Sequence, residues 1–478
     1  MHRRSFLACA GGTALATLSR ASTSSGHPVR VVVDPERKLQ VVPRDFMGLG
    51  YEISSVAIPD LLSAKNTKYV QLVRTLSPAG VIRVGGNTSD FSRFSREGKA
   101  VSAPKETVVN AANLRQLATF LNATNWRLIW GLNLGSADMQ QEIAEAEAVM
   151  SAVSGKLLAF EIGNEPDLFG RGTAHRPKNY NYEAFIKEFR QYKAGISARL
   201  PKAPLAGPDA ATATDWVTRF AADEGSELKL LTHHYYRQCA GPTSTLGKLL
   251  HPDPKLSPML ATLRAASLRS KVPYRICETN SFCGGGQPGV SDTFGAALWV
   301  LDFMFQLAYG GCSGVNIETG VNQLGFVSSY SPIRRREHDG YSAMPIYYGM
   351  LAFAHAGQGQ CVAIDCDAAG AKVTAYAVLE GQTSLSVTIV NKEMSADADV
   401  DLSVAKNFHG GQVLRLSAPS LQSKEGVTFA GSSVASGGKW QPRSKESLQS
   451  SGSRHAVRVP AGSAAILRLQ VAAQAGTP

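Results

Sequence analysis

The stretch Leu157-Leu158-Ala159-Phe160-Glu161-Ile162-Gly163-Asn164-Glu165-Pro166-Asp167 decides how the chain is read. Its apolar run from Leu157 to Phe160 has the composition of a buried strand and ends abruptly in Asn-Glu-Pro. Pro166 has no backbone N–H to donate, so the chain is expected to leave the strand there, with Asn164 and Glu165 side by side at its carboxyl end. A second stretch, Tyr274-Arg275-Ile276-Cys277-Glu278-Thr279-Asn280, repeats the plan: a short strand, then a carboxylate.

Outward from these two, short β-rich runs alternate with helical ones from residue 43 to about 350. Met47–Tyr51, Val81–Val84, Trp126–Trp130, Pro204–Gly207, Leu228–Thr232 and Gly314–Ile317 complete a set of eight predicted strands. Amphipathic segments such as Ala111–Asn122, Met139–Val153, Tyr182–Arg199 and Thr293–Ala308 lie between them. Such alternation, with polar residues at each strand's carboxyl end, predicts an α/β fold, a (β/α)8 TIM barrel. The competing open doubly wound sheet lacks a Gly-rich phosphate loop after its first strand. Beyond residue 355 the texture changes. Val373–Val378, Ser384–Val390, Val400–Val404, Gln412–Leu416 and Ala464–Leu469 alternate apolar and polar residues, which predicts a C-terminal antiparallel β-sandwich. Val29–Val33 is expected to add a strand to it, and the Gly/Ser/Lys-rich residues 431–453 read as a long mobile loop. The expected organisation is an export signal over 1–25, the extra strand in 26–42, the barrel in 43–352 and the sandwich in 353–472.

The N-terminus carries Arg3-Arg4-Ser5-Phe6-Leu7 and then an apolar, small-residue run from Ala8 to Leu18, a twin-arginine signal pattern. A mature chain starting near residue 26 is expected in the periplasm or outside the cell, with no membrane span. At 478 residues, 44% hydrophobic and 18% charged, the chain has the composition of a globular protein of two or three domains. Its net charge of +11 would help an acidic substrate approach, or is a generally basic surface without ligand meaning. Beyond the signal, Cys239, Cys277, Cys283, Cys312, Cys361 and Cys366 form no CxxC and no Cys/His spacing suited to zinc, so no metal site is expected. A disulfide between Cys239 and Cys283, on neighbouring loops, stays open in an oxidising compartment. Cys277 reads as a small buried residue.

Two carboxylates at the ends of different strands are what glycosidic bond cleavage requires, one as proton donor and one as nucleophile or base. Glu165 is the candidate general acid/base, which needs its pKa raised by partial burial or a neighbouring charge. Glu278 is the candidate nucleophile, three βα units later and facing the same barrel mouth. Glu318, Asp209 and Glu161 are rival carboxylates, Glu161 being placed to anchor the barrel interior. His234 and Tyr236, at the end of the sixth strand, are candidates to orient Glu278. Arg83 is placed to sit beneath the site and balance its charge, and Glu278 alternatively pairs with Arg275 or Arg83 structurally. Gly284-Gly285-Gly286 can present backbone N–H groups to an anion.

At these residues the chain resembles glycoside hydrolase family 79, the β-glucuronidases and heparanases, within a clan of retaining barrel hydrolases. The stretches that carry the resemblance are Arg83-Val84-Gly85-Gly86-Asn87-Thr88-Ser89-Asp90, Gly163-Asn164-Glu165-Pro166-Asp167, His233-His234-Tyr235-Tyr236, and Glu278-Thr279-Asn280-Ser281-Phe282-Cys283-Gly284-Gly285-Gly286 continuing to Ser291-Asp292-Thr293-Phe294. The resemblance implies Glu165 as acid/base and Glu278 as nucleophile. It implies Asn164 and Glu52 on sugar hydroxyls with Asn87 nearby, Gly284 and Gly285 on a uronate carboxylate, and Tyr330 as the helping tyrosine after strand eight. Cys283 departs from the pattern, in which a tyrosine is common near the carboxylate. The expected function is an exported retaining exo-β-glucuronidase acting on a glucuronic-acid-containing glycan or glycoside, without cofactor and without a nucleic-acid partner. The alternatives are an endo-acting, heparanase-like enzyme on acidic polysaccharide, and a non-catalytic carbohydrate-binding barrel.

Overall fold

The structure, a computed structural model, describes residues 27–103, 106–136, 138–171, 175–320, 328–336, 340–404, 408–444 and 446–471. The twin-arginine segment and the rest of the expected signal lie outside the described residues. Eight parallel strands close into a barrel: β1 (Gly48–Glu52), β2 (Val81–Gly85), β3 (Arg127–Leu132), β4 (Leu157–Ile162), β5 (Leu205–Ala210), β6 (Leu228–Tyr235), β7 (Tyr274–Thr279) and β8 (Val315–Glu318). Pairing of Ile317 with Leu49 and Glu318 with Gly50 closes the ring. The strands are nearly all buried on both faces, which is why they read as short apolar runs rather than alternating ones. Helices follow the strands on the outside, among them Thr67–Leu76, Ala111–Thr124, Met139–Val153, Tyr182–Arg199 and Thr214–Glu224. Asn66, Asn110, Asp138 and Asn181 cap four of them, each side chain accepting a hydrogen bond from a first-turn N–H.

One end of the barrel is plugged by Arg275 of β7. Its guanidinium donates to Asn316 Oδ1 at 2.7 Å and to the carbonyls of Asp45, Phe46 and Val315 at 3.2 Å. Gly314 is required beneath it, because a Cβ there would overlap the guanidinium. Arg275 is therefore occupied by Asn316 and by backbone carbonyls, and it is Arg83 that meets Glu278.

The second unit is a mainly antiparallel sheet array. The N-terminal strand, His27–Val42, runs antiparallel to Gly359–Asp367 and parallel to Ala398–Val404. Val29, Val31 and Val33 alternate into its core with Val387, Ile389, Leu402 and Leu467. The helix Phe294–Tyr309 is apolar on almost every face because it is sandwiched between the barrel and this array. Its one buried carboxylate, Asp302, accepts hydrogen bonds from Thr374 Oγ1 at 2.6 Å, Tyr376 OH at 2.7 Å and Lys392 Nζ at 2.6 Å. Phe305 stacks on Tyr376 beside it.

Three features depart from the sequence reading. Residues 431–453, expected as a mobile loop, are tied to both units. Trp440 stacks on Phe429 with centroids 5.0 Å apart, Gly438 O accepts from Thr75 of the first barrel helix at 2.8 Å, and Glu446–Ser447 and Gln449–Ser451 pair as short strands. The anchoring Trp440 sits inside a Gly/Ser-rich context that hides it. Small sheets not foreseen are inserted after β2 (Ser92–Ser95, Val101–Ala103, Glu106–Asn110) and after β8 (the hairpin Ile333–Arg336 and Gly340–Ala343). No helix among the described residues is long and apolar enough to cross a membrane.

Replacing Asp302 by Ala leaves Lys392 charged and buried without its partner, so the folded state is expected to lose about 3–5 kcal/mol. Denaturant unfolding of the wild type and D302A measures this. A difference below about 1 kcal/mol, the value of an exposed pair, would show that the joint between the units is held elsewhere.

Candidate active site

The carboxyl ends of the barrel strands converge on one cation. Arg83, on β2, is fully buried. It donates from Nε to Glu161 Oε2 at 3.1 Å, from Nη1 to Glu278 Oε2 at 2.8 Å, and from Nη2 to Asp209 Oδ2 at 2.5 Å and Asn164 Oδ1 at 3.0 Å. Strands β2, β4, β5 and β7 are thereby tied to one planar group whose fork of donors suits several carboxylates at once. Gly85 leaves room for it, since a Cβ there would lie 2.6 Å from the guanidinium carbon.

His234, on β6, forms the next layer. Its Nε2 lies 2.8 Å from Asp209 Oδ1 and its Nδ1 2.9 Å from Glu165 Oε1. Burial alone would lower its pKa, but the charges of Asp209 and Glu278 and the hydrogen bonds to Asp209 and Glu165 raise it well above the usual range. Both ring nitrogens then carry protons and donate. Asp209 shows the reverse balance: burial would raise it, yet Arg83 and His234 hold its carboxyl well below the usual carboxylate range. His234 was expected to orient Glu278. Its ring nitrogens hydrogen-bond to Glu165 and Asp209 instead, and Nδ1 stands 3.9 Å from Glu278 Oε2.

Glu165 follows β4 with φ +50° and ψ 49°, a left-handed conformation that is uncommon outside glycine and clusters at functional sites. Its N–H donates to Asp209 O at 3.0 Å, and Asp167 anchors the turn by accepting from the N–H groups of Ala211, Thr212 and Ala213. The Glu165 side chain is 20% exposed. Burial raises its pKa, opposed by His234 and reinforced by Glu278. Glu278, at the end of β7 and 13% exposed, accepts from Arg83 on one oxygen and from Tyr236 OH on the other at 3.1 Å. A carboxylate oxygen of Glu165 and one of Glu278 lie within 4.8 Å of each other, with His234 within the same distance of both.

The remaining candidates surround this pair. Asn164 is buried and held by Arg83. Glu52, at the end of β1, accepts from Thr88 N and Thr88 Oγ1, both at 2.6 Å, and from Asn87 N at 3.1 Å. Its pKa is pushed up to about 7, chiefly by burial and next by the charge of Glu278. Asn87 is exposed and reaches Glu52 through its backbone. Tyr330 is buried, within hydrogen-bonding range of Tyr236 and close enough to Glu318, Glu278 and Glu52 for their charges to raise its hydroxyl pKa beyond the effect of burial. Gly284, Gly285 and Gly286 have φ of +74°, +86° and +80°, which only glycine adopts freely in succession. Cys239 and Cys283 form a disulfide that joins their loop to the one after β6.

Sequence reasoning gave Glu318 and Asp209 only as rivals, and did not single out Asp90 for the site. Asp90 is buried beneath the Asn164 turn, accepts from Gly135 N at 3.2 Å, and has its pKa pushed up to about 8 by burial. Glu318, at the end of β8, is buried and neither of its oxygens has a hydrogen-bond partner among the described residues. Burial raises its pKa well above the usual range, and Glu278 and Glu52 add to the rise.

Residues 375–466 match the glycosyl hydrolase family 79 C-terminal beta domain. The chain is similar to glycoside hydrolase family 79. A curated β-glucuronidase of Aspergillus niger is 26% identical over 65% of this chain and 63% of its own, and a Bos taurus heparanase is 30% identical over 56% and 59%. The chain thus spans about three-fifths of the length of the curated relatives it matches. Among solved structures, a 4-O-α-L-rhamnosyl-β-D-glucuronidase from Fusarium oxysporum superposes with a TM-score of 0.76, at 20% identity over 92% of this chain and 99% of that one. A GH51 arabinofuranosidase from Xanthomonas axonopodis pv. citri superposes with a TM-score of 0.68, at 17% identity over 93% and 100%. These likenesses show the fold, a barrel with a β-sandwich.

The unpartnered Glu318 has a consequence for stability. Its folded-state pKa is raised above the unfolded value, so its carboxyl is harmless below pH about 4.5 and destabilises progressively as pH rises through the folded value. E318Q removes the ionisable carboxyl and with it that pH dependence. The gain in melting temperature of E318Q over wild type is expected to be larger at pH 8 than at pH 5. A gain independent of pH would contradict a neutral, buried Glu318.

Proposed function

We propose that the chain is a retaining exo-β-glucuronidase, exported by its N-terminal signal, that releases terminal β-linked glucuronic acid from a glycan or glycoside. The observation that carries the reading is that a carboxylate oxygen of Glu165 and one of Glu278, at the ends of β4 and β7, lie within 4.8 Å of each other. Retaining enzymes hold their carboxyl groups ~5–5.5 Å apart, whereas inverting ones need ~6.5–9.5 Å to admit a water.

The two carboxyls are supported for different roles. Burial raises the pKa of Glu165, which suits a group that must arrive protonated. Glu278 has donors on both oxygens, Arg83 and Tyr236, which aim the carboxylate at an anomeric carbon above it. Glu278 attacks that carbon while Glu165 gives its proton to the leaving oxygen, with positive charge building on the sugar between them. Glu165, now ionised and beside a cationic His234, takes a proton from water, which hydrolyses the glycosyl-enzyme and returns Glu278 as a carboxylate. Asn164 and Glu52 serve sugar hydroxyls. The N–H groups of Gly284 and Gly285, which have no acceptor among the described residues, serve the uronate carboxylate beside Tyr330. The named activities of the β-glucuronidase relatives support the choice of sugar.

The second reading, endo cleavage of an acidic polysaccharide, is favoured by the hairpin after Tyr330, whose first strand carries Arg334, Arg335 and Arg336, and by the named activity of the heparanase relatives.

The test is hydrolysis of p-nitrophenyl β-D-glucuronide beside the glucoside. Wild-type turnover of the glucuronide is expected to vanish in E278Q. In E165Q, hydrolysis of an alkyl glucuronide, whose poor leaving group needs the proton, is expected to fall by ~10²–10⁴. The nitrophenyl substrate should suffer less in its first step. The wild-type rate should fall on the alkaline side as Glu165 loses its proton, and E165Q should lack that limb. Cleavage of an acidic polymer with no turnover of the small glucuronide would establish the endo reading. Full activity in E278Q would overturn both.

A further inference from the structure

The loop that follows the nucleophile is held in an unusual way. Gly284, Gly285 and Gly286 all have positive φ, so nothing in their own covalent structure fixes the direction of their N–H groups. The order must be imposed from outside. On the far side, Ser329 N donates to Gly285 O at 2.7 Å, Gln287 N donates to Ser291 Oγ at 2.9 Å, and a Cβ at Gly286 would lie 3.0 Å from that of Tyr330. On the near side the anchor is Cys283. Its N–H donates to Gln238 O at 3.0 Å, its carbonyl accepts from Ala240 N at 3.1 Å, and its sulfur is bonded to Cys239. A Cβ at Gly284 would meet nothing within 4 Å among the described residues.

The other end of the disulfide has its own link to the reaction. Cys239 lies in the loop after β6 that begins at Tyr236, the residue that donates to Glu278 Oε1. The covalent bond therefore spans the two loops that flank the nucleophile, one orienting its carboxylate and the other presenting main-chain donors that have no acceptor among the described residues.

We propose that the Cys239–Cys283 disulfide is a specificity-determining staple, which fixes the N–H groups of Gly284 and Gly285 where they bind the carboxylate of an acidic sugar. The cysteines touch no substrate and act only by position. The inference rests on the glucuronidase reading above. A clamp of this kind converts a flexible glycine run into a preorganised anion site, so its loss reduces discrimination for the charged substituent more than it reduces chemistry.

The experiment compares p-nitrophenyl β-D-glucuronide with its methyl ester, which lacks the charge and adds one methyl group, for the wild type and the double variant C239A/C283A. With the staple removed, kcat/KM for the glucuronide is expected to fall about tenfold, chiefly through KM, the loss of about one charge-assisted hydrogen bond. The ester should change by less than about twofold. Equal losses on both substrates, or none on either, would overturn the proposal, since a merely structural bond does not distinguish them. Should the double variant fail to fold, folded wild type is treated with tris(2-carboxyethyl)phosphine. The phosphine and one water convert the disulfide to two thiols and leave phosphine oxide. Thiol counting and an unchanged far-ultraviolet circular dichroism spectrum then accompany the same two rates. Wild type without any glucuronide turnover would overturn the glucuronidase reading and the staple together. Wild-type turnover with an unaltered charged-to-neutral preference after reduction would overturn the staple alone.

Discussion

A single buried guanidinium sets the geometry of the barrel mouth. Arg83 makes ion pairs with Glu161, Asp209 and Glu278 and a hydrogen bond to Asn164. Removing such charges from water is expensive, and the arrangement persists because each nitrogen of the fork finds an acceptor. The consequence is structural as well as electrostatic. Strands far apart in sequence are held in register at their carboxyl ends by one side chain, so the positions of Asn164, Asp209 and Glu278 are not independent.

That cation also sorts the acids. Asp209, touching both Arg83 and His234, is held ionised at the bottom of the site, and its charge in turn keeps His234 protonated. Glu165 sits one layer further out, beyond the reach of Arg83, where burial raises its pKa and His234 tempers the rise. Glu318 and Glu52 lie on the opposite wall, with no cationic hydrogen-bond partner among the described residues, and burial pushes both upward. One barrel mouth thus contains carboxyl groups with different preferred protonation states, which is the separation that acid/base chemistry between two carboxyls requires.

Much of this was legible in the sequence, and the exceptions have physical reasons. The strand Leu157–Ile162 and the helices Met139–Val153 and Tyr182–Arg199 fall where periodicity places them, and in the structure Asp138 and Asn181 cap the two helices. Strand β6 runs on to Tyr235, past the apolar segment, because buried polar residues such as His233 and His234 continue it where hydrophobicity no longer marks a strand. Arg83 was readable as a counter-charge because it sits between apolar residues of a strand. The partner of His234 was not, since choosing Glu165 over Glu278 depends on the angular order of strands around the barrel. The anchoring of residues 431–453 escaped notice because one tryptophan, Trp440, outweighs its flexible neighbours. Asp90 and the unpartnered state of Glu318 depend on burial that no local pattern encodes.

The claim on which the rest depends is that Glu165 and Glu278 act as a retaining pair. The most direct measurement is proton NMR of the sugar released from p-nitrophenyl β-D-glucuronide in the first minutes of turnover. Double displacement is expected to release β-D-glucuronic acid first, with the α anomer appearing later by mutarotation. Initial release of the α anomer would contradict the pairing and make Glu278 a base that activates water rather than a nucleophile.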